Sequence, residues 1–175
     1  FLYNLFMSPW SGLSNFEFLF KSNDAWIIFR NTIGYNFIFV VLGVFIPASL
    51  AIMINQLHSN ALAKTTQTVM FLPYFMSWVV VTYLVSAFLS YDVGLVNRVL
   101  QSMGMKSIQW YMESKYWPYF LIFLNLWKSM GYGMVIYLAS LTSIDGSLYE
   151  AAVIDGASQW QQIRYITLPI LKTTM

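Results

Sequence analysis

Long stretches without charged residues divide this chain into apolar segments. No Asp, Glu, Lys or Arg occurs between Arg30 and Lys64, and none occurs between Lys64 and Asp92. About 20 apolar residues of helix cross a bilayer core, because a helix bonds all its backbone groups within the segment. The pattern therefore predicts one membrane span over residues 35–57 and a second over residues 69–89.

A third apolar window runs from Tyr116 to Ile144 and contains one charged residue, Lys128. Pro118 suits the first turn of a helix, so the pattern predicts a third span over residues 119–142. A soluble bundle of buried helices is the alternative. That bundle would need polar faces at helical spacing, whereas these segments are apolar all round. The fold class indicated is an all-α, multi-pass integral membrane protein.

The stretches outside the spans have a mixed composition. Residues 1–34 combine aromatic and charged side chains, which is typical of an interfacial segment. Residues 90–117 resemble a short folded cap at a membrane border, and residues 145–175 follow the third span as a separate loop. The first residue is not Met, and the last lies where another apolar segment is expected to begin. We therefore expect both ends to be continued in a longer protein.

Composition excludes several classes of function. The chain is 58% hydrophobic and 9% charged, whereas soluble domains carry about a quarter charged residues. It has no cysteine, and His58 is its one histidine, so neither a thiolate site nor a histidine metal site is predicted. A net charge of +2 without a basic stripe argues against nucleic acid as a partner. The sequence has no P-loop, and its spans lack the paired catalytic groups of an intramembrane enzyme.

The loop over residues 145–175 contains the signals of two short helices. Serine is followed three residues later by Glu or Gln at Ser147–Glu150 and again at Ser158–Gln161, which is the spacing of a capping box. Gly156 is placed to end the first helix, since glycine adopts the left-handed conformation without steric cost. The second helix is predicted to end at Pro169. Together the two helices would form a compact ledge outside the membrane.

The ledge resembles the EAA motif of ABC importer permeases. Glu150-Ala151-Ala152 is followed after three residues by Gly156, and after nine more by Ile166-Thr167-Leu168-Pro169. The resemblance implies that residues 145–175 lie in the cytoplasm and fit a cleft on an ATPase subunit. The residues that it implies for coupling are Glu150, Ala151, Ala152, Asp155, Gly156 and Ala157. For Glu150, a role in helix capping alone is the alternative interpretation.

The resemblance also implies the partners and the cargo. The longer form of the motif, from Leu148 to Ala157, is similar to the carbohydrate branch of these permeases, so an oligosaccharide or polysaccharide fragment is the expected solute. Expected partners are two ATPase subunits that bind ATP and Mg²⁺, a second permease subunit, an extracytoplasmic solute-binding protein and the lipid of a bacterial inner membrane. No cofactor is expected in this chain. An amino-acid or peptide importer and a membrane scaffold without transport activity are the alternatives.

Charge and motif disagree about orientation. With the ledge inside, residues 58–67 are also inside, while residues 1–34 and 90–117 are outside. The positive-inside rule then fails, so the orientation rests on the motif. The cations are Lys64, Arg164 and Lys172 inside, and Lys21, Arg30, Arg98, Lys106 and Lys115 outside.

Polar and aromatic side chains within the spans are candidates for the translocation path. Lys128 lies deep in the third span, where a charged group is costly and is by default a functional candidate; snorkelling, or pairing with the second permease, is the alternative. Aromatic rings stack on sugars but also contact lipid and other helices, and we weigh both roles for each ring. The candidate path residues are Asn125, Trp127, Lys128, Tyr132, Tyr74 and Trp78.

Overall fold

The computed structural model describes residues 12, 16–17, 21, 23–57 and 59–173 of the chain. Its regular elements within these ranges are all helical. The chain divides into two compact units, Phe1–Ile38 and Phe39–Met175. Much of the predicted interfacial segment, residues 1–34, lies outside the described residues, as does His58.

The first helix, α1, spans Asn23–Asn55. It begins well before residue 35, where the span was predicted to start, because no proline separates Asn23 from the apolar run and Asp24 in the first turn favours a helix start. Pro47 lies inside the helix, and Pro47 and Ala48 are both buried. The apolar run and its polar approach thus form one continuous helix.

The second predicted span is broken. Helix α2 (Asn60–Phe71) continues into a 3-10 turn (Leu72–Phe75), and α3 (Trp78–Leu89) then leaves at an angle of 102°. Pro73 cannot donate a backbone hydrogen bond, and Met76 and Ser77 have extended conformations that end the turn. The prediction of one continuous helix over residues 69–89 is therefore wrong.

A folded loop connects the broken helix to the third span. It contains α4 (Leu95–Ser102) and a 3-10 turn (Ser114–Tyr116). Asn97 is 1% exposed, and its amide donates to the carbonyls of Ser90, Tyr91 and Ile108 at 3.0–3.3 Å. Its side-chain oxygen accepts from the Ile108 backbone and from the Trp110 indole at 3.0 and 3.1 Å. One saturated amide therefore holds this loop together.

Helix α5 (Trp117–Thr142) has Pro118 in its first turn and forms the centre of the packing. A Cβ at Gly131 would lie 2.0 Å from the Met70 carbonyl oxygen, and one at Gly133 would lie 3.0 Å from Pro47. These glycines let α2 and α1 approach α5 closely. The core beside them comprises Ala48, Ala51, Ile54, Met134, Tyr137, Leu141 and Leu171.

Three short helices and a π-helical turn follow α5 among the described residues. Helix α6 spans Gly146–Ile154, and α7 spans Gln159–Gln162. A π-helical turn (Ile163–Thr167) then leads into α8 (Leu168–Lys172). We call residues 145–172 the ledge. Pro169 lies in the first turn of α8, where its missing N–H is tolerated, so the prediction that the helix ends there is wrong.

Two described helices are long and apolar enough to cross a membrane, and the bent pair α2–α3 raises the number to three. Several serine and threonine hydroxyls in these helices bond within their own helix. Ser49 donates to the Phe45 carbonyl at 2.7 Å and Thr82 to the Trp78 carbonyl at 2.9 Å, for example. Such polar side chains therefore do not require a partner on another helix.

The contact at Gly131 generates a test of the packing. We expect Gly131→Ala to destabilise the protein by about 2 kcal/mol or more, because the new methyl overlaps the backbone of α2 rather than a flexible side chain. Gly43→Ala is the matched control, since its Cβ would meet nothing within 4 Å and alanine favours a helix. Thermal unfolding of the purified protein measures both. Equal midpoints for the two variants would contradict this packing.

Candidate functional site

The ledge begins at Asp145. Its carboxylate accepts a hydrogen bond from the Ser147 backbone N–H at 2.9 Å and caps α6. This bond lowers the pKa of the Asp145 carboxyl, so the stabilisation by the cap is fully present above the ordinary pKa of an aspartate and is lost as the pH falls through the lowered pKa. The predicted capping box of Ser147 with Glu150 is wrong, because Asp145 occupies the capping position two residues earlier. Glu150 instead lies within α6, exposed to solvent.

Gly156 ends α6, as predicted. The Gly156 N–H donates to the Val153 carbonyl at 3.0 Å, and the Ala157 N–H donates to the Ala152 carbonyl at 2.8 Å. This pair of bonds is a Schellman motif, which requires a left-handed residue at its centre. Gly156 has a φ of +76°, and a Cβ there would meet no atom within 4 Å. The position therefore requires glycine because of its backbone conformation and not because of crowding.

The second half of the ledge starts at Ser158, which forms the predicted capping box with Gln161. The Gln162 amide donates back to the Ala157 carbonyl at 3.2 Å. Further on, the π turn places the Thr167 hydroxyl 2.9 Å from the Tyr149 hydroxyl of α6. Because Thr167 is buried, this bond joins the two halves of the ledge from the inside.

The outer surface of the ledge combines a carboxylate with apolar side chains. Ile154 is 85% exposed and Trp160 is 78% exposed, on either side of the turn at Gly156. Two large apolar side chains next to this turn are thus left accessible to a partner. Among the residues implied for coupling, Ala152 and Ala157 are half-buried. The exposed ones are Glu150, Ala151, Asp155 and Gly156.

A second group of candidate residues meets at the break between α2 and α3. The Lys128 ammonium of α5 donates to the Tyr74 carbonyl at 2.9 Å and lies 5.6 Å from the centroids of the Tyr74 and Trp78 rings. Tyr132, one turn along α5, stacks on Tyr74 with centroids 4.6 Å apart and planes 10° from parallel. The structure thus brings together four of the six candidate path residues.

The other two candidates are placed differently. Trp127 lines an apolar cavity of about 260 Å³ between α3 and α5, together with Leu84, Phe88 and Phe123. Asn125 is half-buried, and its carbonyl accepts a bond from the Ser129 hydroxyl at 2.8 Å. Neither joins the group around Lys128 in the contacts of the described residues.

A polar cavity of about 260 Å³ was not predicted from the sequence. It lies between the C-terminal end of α1 and the ledge, and Tyr149 and Thr167 line it. Amides supply most of its other polar groups: Asn55, Gln56, Gln159 and Gln162. The one signal in the sequence was the polar Thr167 between the apolar residues Ile166 and Leu168. Among the described residues, no cluster of His, Asp and Glu has the geometry of a metal site.

The helices and ledge define a multi-pass helical membrane protein whose ledge is built onto its last long helix. Residues 43–175 match the family model described as binding-protein-dependent transport system inner membrane component, and the chain belongs to this family. It is therefore a membrane component of the ABC permease type. This class is the one that the resemblance of the motif implied.

Several relatives align with nearly the whole chain. It is 32% identical over 168 residues to the polygalacturonan/rhamnogalacturonan transport system permease protein YteP of Bacillus subtilis, which covers 96% of this chain and 52% of that protein. It is 33% identical to the lactose transport system permease protein LacF of Rhizobium radiobacter, covering 95% of this chain and 56% of that protein. The chain thus spans about half the length of these relatives.

Solved structures share the fold. A crystal structure of a bacterial ABC transporter involved in import of the acidic polysaccharide alginate has a TM-score of 0.87 and 37% identity, and it covers 95% of this chain and 58% of that one. A second alginate transporter structure, in complex with an alginate pentasaccharide-bound periplasmic protein, has a TM-score of 0.86 and 36% identity.

The turn at Gly156 generates a prediction that separates backbone conformation from bulk. Gly156→Ala should destabilise the ledge, because a φ of +76° is costly for alanine, whereas Gly156→Asn should be milder since asparagine tolerates this region. Proteolysis at Arg164, within the ledge, measures its local stability in the purified permease. Gly146→Ala is the control, as its Cβ also meets nothing within 4 Å and its φ is not positive. Equal cleavage of the Ala and Asn variants would contradict this account.

Proposed function

We propose that this chain is part of the permease of an ATP-driven importer and that its ledge transmits ATP-driven movement to the membrane helices. The observation that carries the proposal is the ledge itself: two capped helices, locked together at Tyr149 and Thr167, with Ile154 and Trp160 exposed. A rigid element with an apolar outer surface is suited to a groove on another protein. Family membership supports an ATPase subunit as that protein.

The attachment of the ledge to the bundle supports this role. Leu171 of α8 is fully buried in the core with Tyr137 and Leu141 of α5 and with Ala51 of α1. A displacement of the ledge would therefore move packed helices, because close-packed cores transmit strain instead of absorbing it. Glu150 and Gly156 match the characteristic positions of the motif and lie on the exposed side of this element.

The proposed cargo is an oligosaccharide or a fragment of a polysaccharide. The relatives are named for polygalacturonan, rhamnogalacturonan and lactose transport, and the solved structures for alginate import. At the helix break, the stacked rings of Tyr74 and Tyr132 offer the kind of face on which sugars stack. We propose that these rings, with Trp78 and Lys128, border the translocation path. Asn125 and Trp127 stay weaker candidates, since they lie apart from this group.

The proposed assembly contains this permease, a second permease subunit and two ATPase subunits that bind ATP and Mg²⁺. A solute-binding protein would deliver the cargo on the opposite side from the ledge. The alginate transporter in complex with its periplasmic protein supports such a partner. In this arrangement the ledge is cytoplasmic, and the loop over residues 90–117 faces the binding protein.

Charge reversal at Glu150 tests the coupling. We expect Glu150→Lys to abolish ATP-driven uptake while the complex still assembles, because Glu150 is exposed and makes no hydrogen bond within the described residues. Gly156→Asp should have the same effect through the turn. Glu17→Lys is the matched control, since it reverses an exposed carboxylate outside the ledge and outside the loop over residues 90–117, and its ion pair with Lys21 contributes little. Full uptake by the Glu150 variant would refute the coupling role.

The alternatives are separated by the solute-stimulated ATPase activity of the reconstituted complex. Oligosaccharides presented with a binding protein should stimulate hydrolysis. If amino acids or peptides stimulate it instead, the chain belongs to an importer of those solutes. If no solute stimulates hydrolysis and no uptake occurs, a membrane scaffold is the better account.

A further inference from the structure

The break between α2 and α3 raises a question about what holds its angle. Helix ends leave carbonyl groups without donors from their own helix, and hydrocarbon supplies none. At this break the Tyr74 carbonyl receives its hydrogen bond from the Lys128 ammonium at 2.9 Å. A charged donor at the carbonyl end of a helix is also favoured by the helix dipole.

Lys128 contacts both sides of the break. Tyr74 belongs to the 3-10 turn before the break, and Trp78 is the first residue of the helix after it. The ammonium lies 5.6 Å from each ring centroid, within the range of a cation–π interaction. One group on α5 therefore holds the last turn of one helical segment and the first turn of the next.

The residues around Lys128 favour these contacts over an ion pair with a carboxylate. Between residues 60 and 144 the carboxylates are Asp92 and Glu113, both in the connecting loop. Glu113 pairs with Lys115, and neither carboxylate has a hydrogen bond or ion pair with Lys128. Within the described residues, the charge of Lys128 is thus matched by a carbonyl dipole and two aromatic faces.

We infer that Lys128 is a positioning residue, which pins the two segments of the broken helix to α5 and so sets the angle of the break. Gly131 already fixes the α2 segment, because the Met70 backbone lies directly on it. Lys128 fixes α3 relative to that segment. The inference concerns the helix break and holds whether or not sugars are the cargo, although the aromatic group proposed for the path depends on it.

A distance measurement across the break tests the inference. These 175 residues contain no cysteine, so thiols introduced at Val69 and Tyr83 are unique within them. Both sites are suitable for spin labels, being 64% and 72% exposed on α2 and α3. The labelled permease, assembled with its partner subunits in lipid nanodiscs, should give one narrow distance distribution by pulsed electron paramagnetic resonance.

We expect Lys128→Met to lose the single narrow distribution and Lys128→Arg to restore it, since arginine keeps both the donor and the charge. Lys64→Met, an exposed lysine on α2, is the matched control and should keep it. If Lys128→Met fails to assemble, the Lys128→Arg variant decides the question. Its assembly with the native distance would support the inference. A native distribution in Lys128→Met overturns it.

The same variants distinguish positioning from contact with cargo. A positioning role predicts that Lys128→Met impairs uptake of neutral and acidic oligosaccharides alike, with rescue by Lys128→Arg. If Lys128→Met keeps the native distance and raises the KM for acidic oligosaccharides alone, Lys128 binds a substrate carboxylate and the inference is wrong. If no oligosaccharide is transported by any form, the proposed cargo fails, while the distance measurement still decides the role of Lys128.

Discussion

The backbone of a membrane protein must satisfy its own hydrogen-bonding groups, because hydrocarbon offers no partners. The long helices α1 and α5 meet this requirement by continuity, apart from the one bond that Pro47 cannot donate in α1. The broken pair α2–α3 cannot, and the structure supplies what continuity would have given: serine caps at both helix starts, at Ser59 and Ser77, and the Lys128 ammonium at the carbonyl end. The break is thus tolerated because neighbouring side chains supply hydrogen-bond partners for its backbone groups.

Close backbone contact explains why the elements assemble around α5. Where lipid is as apolar as the side chains, helices associate through packing more than through hydrophobicity, and small residues let them approach. Gly131 and Gly133 serve α2 and α1 in this way, on adjacent faces of one helix. The core that results includes Leu171, so the ledge after α5 is bound into the same packing and is not a loosely attached loop.

The sequence predicted the helical class, the third helix, the Gly156 turn and the Ser158 capping box, because each depends on local chemistry. The break at residues 72–77 was missed since the apolar run is continuous through it and only Pro73 signals an interruption. The cap at Asp145 was missed because Ser147 offered an equally good local pattern. The Lys128 contacts could not be predicted at all, as they join residues 54 positions apart. The roles of the ledge and path residues stay predictions.

The hydroxyl groups that bond within their own helices have a consequence for movement. A bond from Ser49 to Phe45, or from Thr82 to Trp78, travels with its helix and need not break when neighbouring helices shift. These hydroxyl bonds thus set no barrier to sliding or tilting of the helices as rigid rods, unlike the bond from Lys128 to the Tyr74 carbonyl, which joins α5 to the helix break. Resistance to such motion would come from the Lys128 contacts at the break and from steric fit, above all where a glycine of one helix receives the backbone of another.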